Sequence, residues 1–135
     1  MNNRFKFRVW DVKNKKVLPE SYFAILGNGK LIVTLSGYYN DFTNTNQDDY
    51  VIQQYTGLTD SNDKEIYEGD ILIYKSGSIP TTGVIGQVLY EADEGGYIFQ
   101  WERKGPNQNY KNLNCDVAFE SVIVGNKFEH SELLN

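Results

Sequence analysis

The order of apolar and polar positions predicts a chain of short strands separated by turns. Phe5, Phe7 and Val9 alternate with Arg4, Lys6 and Arg8, the period of two that puts one face of a strand on a core and the other in water. Phe5 and Phe7 are then core residues, and Trp10 ends the strand on its basic face. Asp11 to Lys16 reads as a turn. Tyr22 to Leu26 and Leu31 to Leu35 read as two strands joined by Gly27-Asn28-Gly29-Lys30. Asn-Gly between apolar runs predicts a type I′ hairpin, with positive φ at both central residues.

Ser36 to Asp49 is rich in Asn, Asp, Thr and Gly and reads as a boundary or a loop. Tyr50 to Thr56 is extended again, and Asp60 to Lys64 is a turn cluster. In Ile71-Leu72-Ile73-Tyr74 both alternating faces are apolar, as in a strand covered on both sides. Gly57 and Gly69 read as strand boundaries. Ser76 to Gly83 is a loop, Val84 to Glu91 and Tyr97 to Glu102 are strands about an Asp93-to-Gly96 turn, and Arg103 to Asn109 is another loop. Asp116 to Ser121 fits helix or strand. Val122 to Val124 is a last strand, and Ser131 to Leu134 one helical turn capped by Ser131. The expected fold is mainly β: an antiparallel N-terminal hairpin lobe over residues 1–49, then a small SH3-like or open β-barrel over 50–135, with at most short helices.

Composition narrows the class. Hydrophobic residues are 40% and charged residues 23% of 135, the balance of a chain that folds. No apolar run is long enough to span a bilayer, and the N-terminus carries charge where a signal peptide needs an apolar stretch. A cytoplasmic location and no membrane partner are expected.

Charge is uneven. Residues 1–59 carry seven Lys/Arg against five Asp/Glu, a balance of +2, and residues 60–135 carry six against thirteen, a balance of −7. Such halves can steer a partner, or let the basic end of one copy meet the acidic end of another.

Most site chemistry fails on residue identity. Asp60-Ser61-Asn62-Asp63-Lys64 imitates a calcium loop, but Lys64, Glu65 and Ile71 stand where an oxygen ligand, Gly and Glu are required. One histidine, His130, and one thiol, Cys115, do not make a zinc site. Cys115 sits between Asn114 and Asp116, where a carboxylate disfavours the thiolate, and it reads as a small buried residue. Gly27 to Lys30 lacks the spacing of a phosphate loop. No metal and no cofactor are expected. Glu65, Glu68 and Asp70 are the densest carboxylates, and an enzyme would have to act through them.

The basic N-terminal hairpin is the alternative site. Arg4, Lys6, Arg8, Lys13, Lys15 and Lys16 surround Trp10, and cations with an aromatic can hold single-stranded nucleic acid or another partner. The alternation leaves only Trp10 for stacking, and the acidic remainder repels phosphate.

The segment Gln54 to Lys75, running through Ile66-Tyr67-Glu68-Gly69-Asp70, resembles the signature of the YopX family of phage and prophage proteins. Lys6-Phe7-Arg8-Val9-Trp10-Asp11 resembles the family's opening, and Val122-Ile123-Val124-Gly125-Asn126 with Glu132-Leu133-Leu134 resembles its close. The resemblance runs the length of the chain, with Ser36 to Asp49 outside any motif. It implies a β-rich, phage-associated protein of no established activity and supplies no catalytic or binding residues. The expected function is that of a non-enzymatic accessory protein in the host cytoplasm. It would bind itself as a homo-oligomer, or a host or phage protein. The alternatives are nucleic-acid binding and mimicry of DNA by the acidic C-terminal part.

Overall fold

A computed structural model describes residues 4–34, 45–75, 83–101 and 109–134. The expected loops over 36–44, 76–82 and 103–108, with Leu35 and Glu102, lie outside the described residues. The chain forms two compact units, residues 7–53 and residues 1–6 with 54–135. The expected division was 1–49 and 50–135. The observed one falls inside a single strand.

In the first unit, β1 (Phe7–Asp11) pairs antiparallel with the two-residue β2 (Lys16–Val17) and lies beside β5 (Tyr50–Thr59), which crosses from one unit to the other. The strand starts at Phe7, three residues after the alternation begins at Arg4. Phe5 therefore precedes it and is 66% exposed, and Phe7 is only half-buried. The core position of the alternation is Val9, fully buried. The expectation for Trp10 is also corrected. Val9, Trp10 and Asp11 are all buried, so both faces of β1 are covered at that end.

A separate hairpin, β3 (Phe23–Ile25) and β4 (Leu31–Val33), contributes Leu31 and Val33 to a core with Val9 and Leu18. Its turn is not type I′. The Leu26 carbonyl accepts the Gly29 N–H at 2.8 Å, and the Leu26 N–H donates to Lys30 O at 2.9 Å. Only Gly29 in this loop has positive φ, +84°. This is a three-residue loop, an ordinary turn closed by a glycine bulge. The Asn28 side chain accepts the Lys30 N–H at 3.0 Å, so Asn28 acts through its oxygen instead of through a left-handed backbone.

In the second unit, the later part of β5 pairs with β6 (Glu65–Tyr67). Tyr55 faces Tyr67 and Thr59 faces Glu65, so four steps in β5 oppose two in β6. Gly57, φ +86°, lies in that irregularity, inside the strand and not at its boundary as the sequence implied. Gly69, φ +87°, does sit at a boundary, between β6 and β7 (Asp70–Tyr74).

A curled five-stranded antiparallel sheet follows in the order β10-β9-β8-β7-β11, with β8 (Val84–Glu91), β9 (Gly96–Trp101), β10 (Tyr110–Asn112) and β11 (Ser121–Asn126). Leu72, Tyr74, Val88 and Phe99 fill its inner face with Ile66, Leu113, Val117 and Ala118. Full burial of one such aliphatic or aromatic side chain contributes roughly 1.5–3 kcal/mol. Ile71 on the outer face is also fully buried, so β7 is covered on both sides at that position, as its composition predicts, while Ile73 further along the same face is half-buried.

The segment whose sequence fits either form takes both. α1 (Cys115–Phe119) is capped by Asn114, whose side chain accepts the Val117 N–H at 3.0 Å, and Ser121 opens β11. Ser131 is the first residue of a 3-10 turn over Ser131–Leu134. The fold is mainly β and antiparallel, with one short α-helix among the described residues.

Candidate functional site

The basic hairpin comes apart into differently employed residues. Lys6 Nζ donates to Glu65 Oε1 at 2.7 Å and lies 5.6 Å from the Tyr55 ring centroid. The Arg4 guanidinium stands 5.1 Å over the Phe5 ring. Arg8 Nε donates to the buried side chain of Gln53 at 2.9 Å. Trp10 is 4% exposed and offers no open ring for a base. Lys13 and Lys15 are exposed on the turn between β1 and β2, and Lys16 is exposed at the start of β2. Asp11 organises that turn, accepting the Asn14 main-chain N–H at 3.0 Å and its side-chain amide at 2.8 Å. Desolvation pushes the Asp11 carboxyl up, but the bonds from Asn14, helped by the Lys13 backbone and the Lys16 charge, outweigh it and hold the pKa below the ordinary value.

Two of the three carboxylates an enzyme would need are held by different partners. Glu65 accepts from Lys6 and from the Tyr67 hydroxyl at 3.1 Å. The Lys6 bond is the largest reason its pKa is lowered. Asp70 is buried, and its Oδ2 accepts the Tyr67 N–H at 2.8 Å. Glu68 is half-buried in the turn that follows β6. No group of three or more His, Cys, Asp or Glu among the described residues could hold a metal ion. His130 Nδ1 accepts the Asn126 N–H at 3.3 Å. Cys115, expected to be buried, is exposed. Helix α1 turns Val117 and Ala118 inward, which leaves its first residue outside.

Two features of the sheet were not read from the sequence. The first is an apolar row. Val122 on β11 faces Ile73 on β7, and Ile73 faces Ile85 on β8. Directly opposed residues share a face and stand about 5 Å apart. Val122 is 37% and Ile85 40% exposed, and Ile73 is half-buried. Phe119, at the end of α1, is 74% exposed. The apolar run Val122 to Val124 carries a signal for the row, but only the register shows which of its side chains face outward.

The second feature is the unequal treatment of the sheet's two edges. Along β11, Ser121 O accepts the Ser61 N–H at 2.9 Å and the Ile123 N–H donates to Asp60 Oδ2 at 2.9 Å. The turn over 60–64 thus occupies that edge. Along β10, Trp101 N–H donates to Asn109 O and Leu113 N–H to Tyr97 O, both at 3.0 Å. Tyr110 and Asn112, opposite Gln100 and Ile98, consequently turn their main-chain groups away from β9. The Tyr110 hydroxyl donates to Glu94 Oε1 at 2.9 Å. That bond, then the charge of Glu94, desolvation and the charge of Glu91, raise the Tyr110 pKa.

The described residues define a class: a small, mainly antiparallel β protein with one short α-helix. The YopX protein family model matches residues 6–135, and the chain belongs to that family. The crystal structure of protein EF1440 from Enterococcus faecalis has a similar fold, with a TM-score of 0.55 and 24% identity over 96% of this chain and 97% of that one. No curated protein matches the chain. No helix among the described residues is long and apolar enough to cross a membrane.

Proposed function

We propose that the protein is a phage-encoded accessory protein that acts without catalysis, by binding protein, and that one of its partners is a second copy of itself. The observation that carries this reading is the apolar row Val122–Ile73–Ile85, which crosses three strands and leaves Val122 and Ile85 exposed on either side of a half-buried Ile73. A contiguous apolar strip on a sheet face gains free energy when another surface removes it from water. Two of the three carboxylates that chemistry would require, Glu65 and Asp70, support the same reading, because they are engaged by Lys6 and by the Tyr67 main-chain N–H. Affinity purification from infected host cells, with and without nuclease, tests it. Recovery of a defined protein, or of a tagged chain with an untagged one, after nuclease treatment is the expected result. Recovery of nucleic acid alone would overturn it.

The exposed lysines of the β1–β2 hairpin, Lys13, Lys15 and Lys16, favour nucleic-acid binding as the second reading. The burial of Trp10 weakens it, since charge then acts without stacking. Mobility-shift assays with single-stranded DNA and RNA at low salt decide it. Binding that falls steeply with salt and is lost on replacing the three lysines supports this reading, and no shift at low salt removes it.

A further inference from the structure

We propose that the β10 edge is a docking site for an extended basic segment of a partner protein, which joins the sheet as an added strand. This rests on the protein-binding reading above and gives it a surface and a partner chemistry. Sheet edges attract extended chains because their outward N–H and C=O groups are unpaired, and folded proteins commonly block them. Here the β11 edge is blocked by Asp60 and Ser61. The β10 edge is not, since Tyr110 and Asn112 direct their main-chain groups outward and no described residue bonds them.

The charge beside this edge selects the occupant. Glu94 holds the Tyr110 hydroxyl, and Glu91 and Asp93 belong to the same β8–β9 turn region. Lys111, the cation on the strand, stands 5.5 Å from the Tyr74 ring centroid on the opposite, inner face. A strand added beside β10 places alternate side chains next to Tyr110 and Asn112 on the face that bears Glu94. Lysine or arginine at those positions meets carboxylate, and an acidic segment is repelled.

The probes are two capped heptapeptides, one alternating Lys and Val and one alternating Glu and Val, titrated into the full chain at low salt and followed by amide hydrogen exchange. The Lys peptide is expected to slow exchange of the Tyr110 and Asn112 amides by about tenfold or more, and the Glu peptide to leave them unchanged. Asn112→Pro removes an outward N–H without touching the β9 ladder, and proline is accepted at such edge positions. It is expected to abolish the protection of Tyr110. Glu94→Gln keeps the backbone intact and is expected to weaken Lys-peptide binding severalfold, with loss of its salt dependence. Equal protection by both peptides, no protection by either, or binding unaffected by both substitutions would overturn the proposal. Any of these would leave self-assembly, read by molar mass, standing or falling separately.

Discussion

Asp60 Oδ2 accepts the main-chain N–H of Ile123 at 2.9 Å, a bond between residues 63 apart in sequence. Its other oxygen, Oδ1, accepts the N–H groups of Asn62 at 2.9 Å and Lys64 at 3.0 Å. One buried carboxylate thus closes its own turn and ties that turn to the edge strand. Asp60→Ala leaves three donors without this acceptor. The expected loss is about 3 kcal/mol, since each buried donor left unpaired costs ~1–3 kcal/mol and water recovers part of it. Urea unfolding measures the loss. A faster-exchanging Ile123 amide in the variant ties it to this bond, and an unchanged midpoint would mean the carboxylate is not a structural tie.

Glycine substitutions should separate close packing from mere sequence. A Cβ at Gly86 would lie 2.4 Å from Gln100 O and 2.6 Å from Phe99 Cε2, while a Cβ at Gly96 meets nothing within 4 Å. Gly86→Ala is expected to cost about 3 kcal/mol, because backbone and a core ring would both have to move. Gly96→Ala is expected to stay within about 0.5 kcal/mol of the parent. Thermal or urea unfolding of the pair checks the contrast. At Gly125 the atoms in the way are those of His130, the nearest 2.6 Å off, so His130→Ala should rescue part of the loss in Gly125→Ala.

The strand plan was legible because it rests on local patterns. Val9 follows the alternation of β1, and β7 is apolar on both faces, with Leu72 and Tyr74 buried on one and Ile71 on the other. What was missed depends on distant neighbours. Trp10 has the sequence position of an exposed residue and is buried because its end of β1 is covered on both faces. Phe5 has the pattern of a core residue and is exposed because the strand begins after it. Asp60 was read as a turn residue, which it is, but its bond to Ile123 is set by tertiary register. For the candidate site, sequence located the basic residues but not their engagement with Glu65 and Gln53.

Acid should weaken the Lys6–Glu65 pair. The folded state holds the Glu65 carboxyl below its ordinary value through the Lys6 hydrogen bond first and the Tyr67 hydroxyl after it, against desolvation. A lowered folded pKa stabilises above the unfolded value, near 4.3, and that contribution is lost as pH falls through the folded pKa. Both side chains are exposed by more than a third, so the effect on stability is small and screened by salt. Carboxyl NMR should show Glu65 titrating at lower pH than in Lys6→Met. Coincident curves would contradict the assignment.

Cys115 should behave as an open thiol. It is exposed at the first turn of α1, whose buried residues are Val117 and Ala118. Native protein is expected to react fully with iodoacetamide at mildly alkaline pH while keeping its far-ultraviolet circular dichroism. Reaction only after unfolding would show the thiol to be covered. Asn114→Ala, which removes the cap, is expected to cost about 1 kcal/mol in unfolding experiments.

The most direct test of protein binding through the exposed sheet face is molar mass by light scattering across a concentration series, for the parent chain and for Ile85→Glu. The chain mass is 15.5 kDa. The account predicts that the parent reaches an integral multiple of that mass, and that Ile85→Glu returns it to 15.5 kDa with unchanged circular dichroism. A parent that stays at 15.5 kDa at every concentration, or an assembly indifferent to Ile85→Glu, would contradict it.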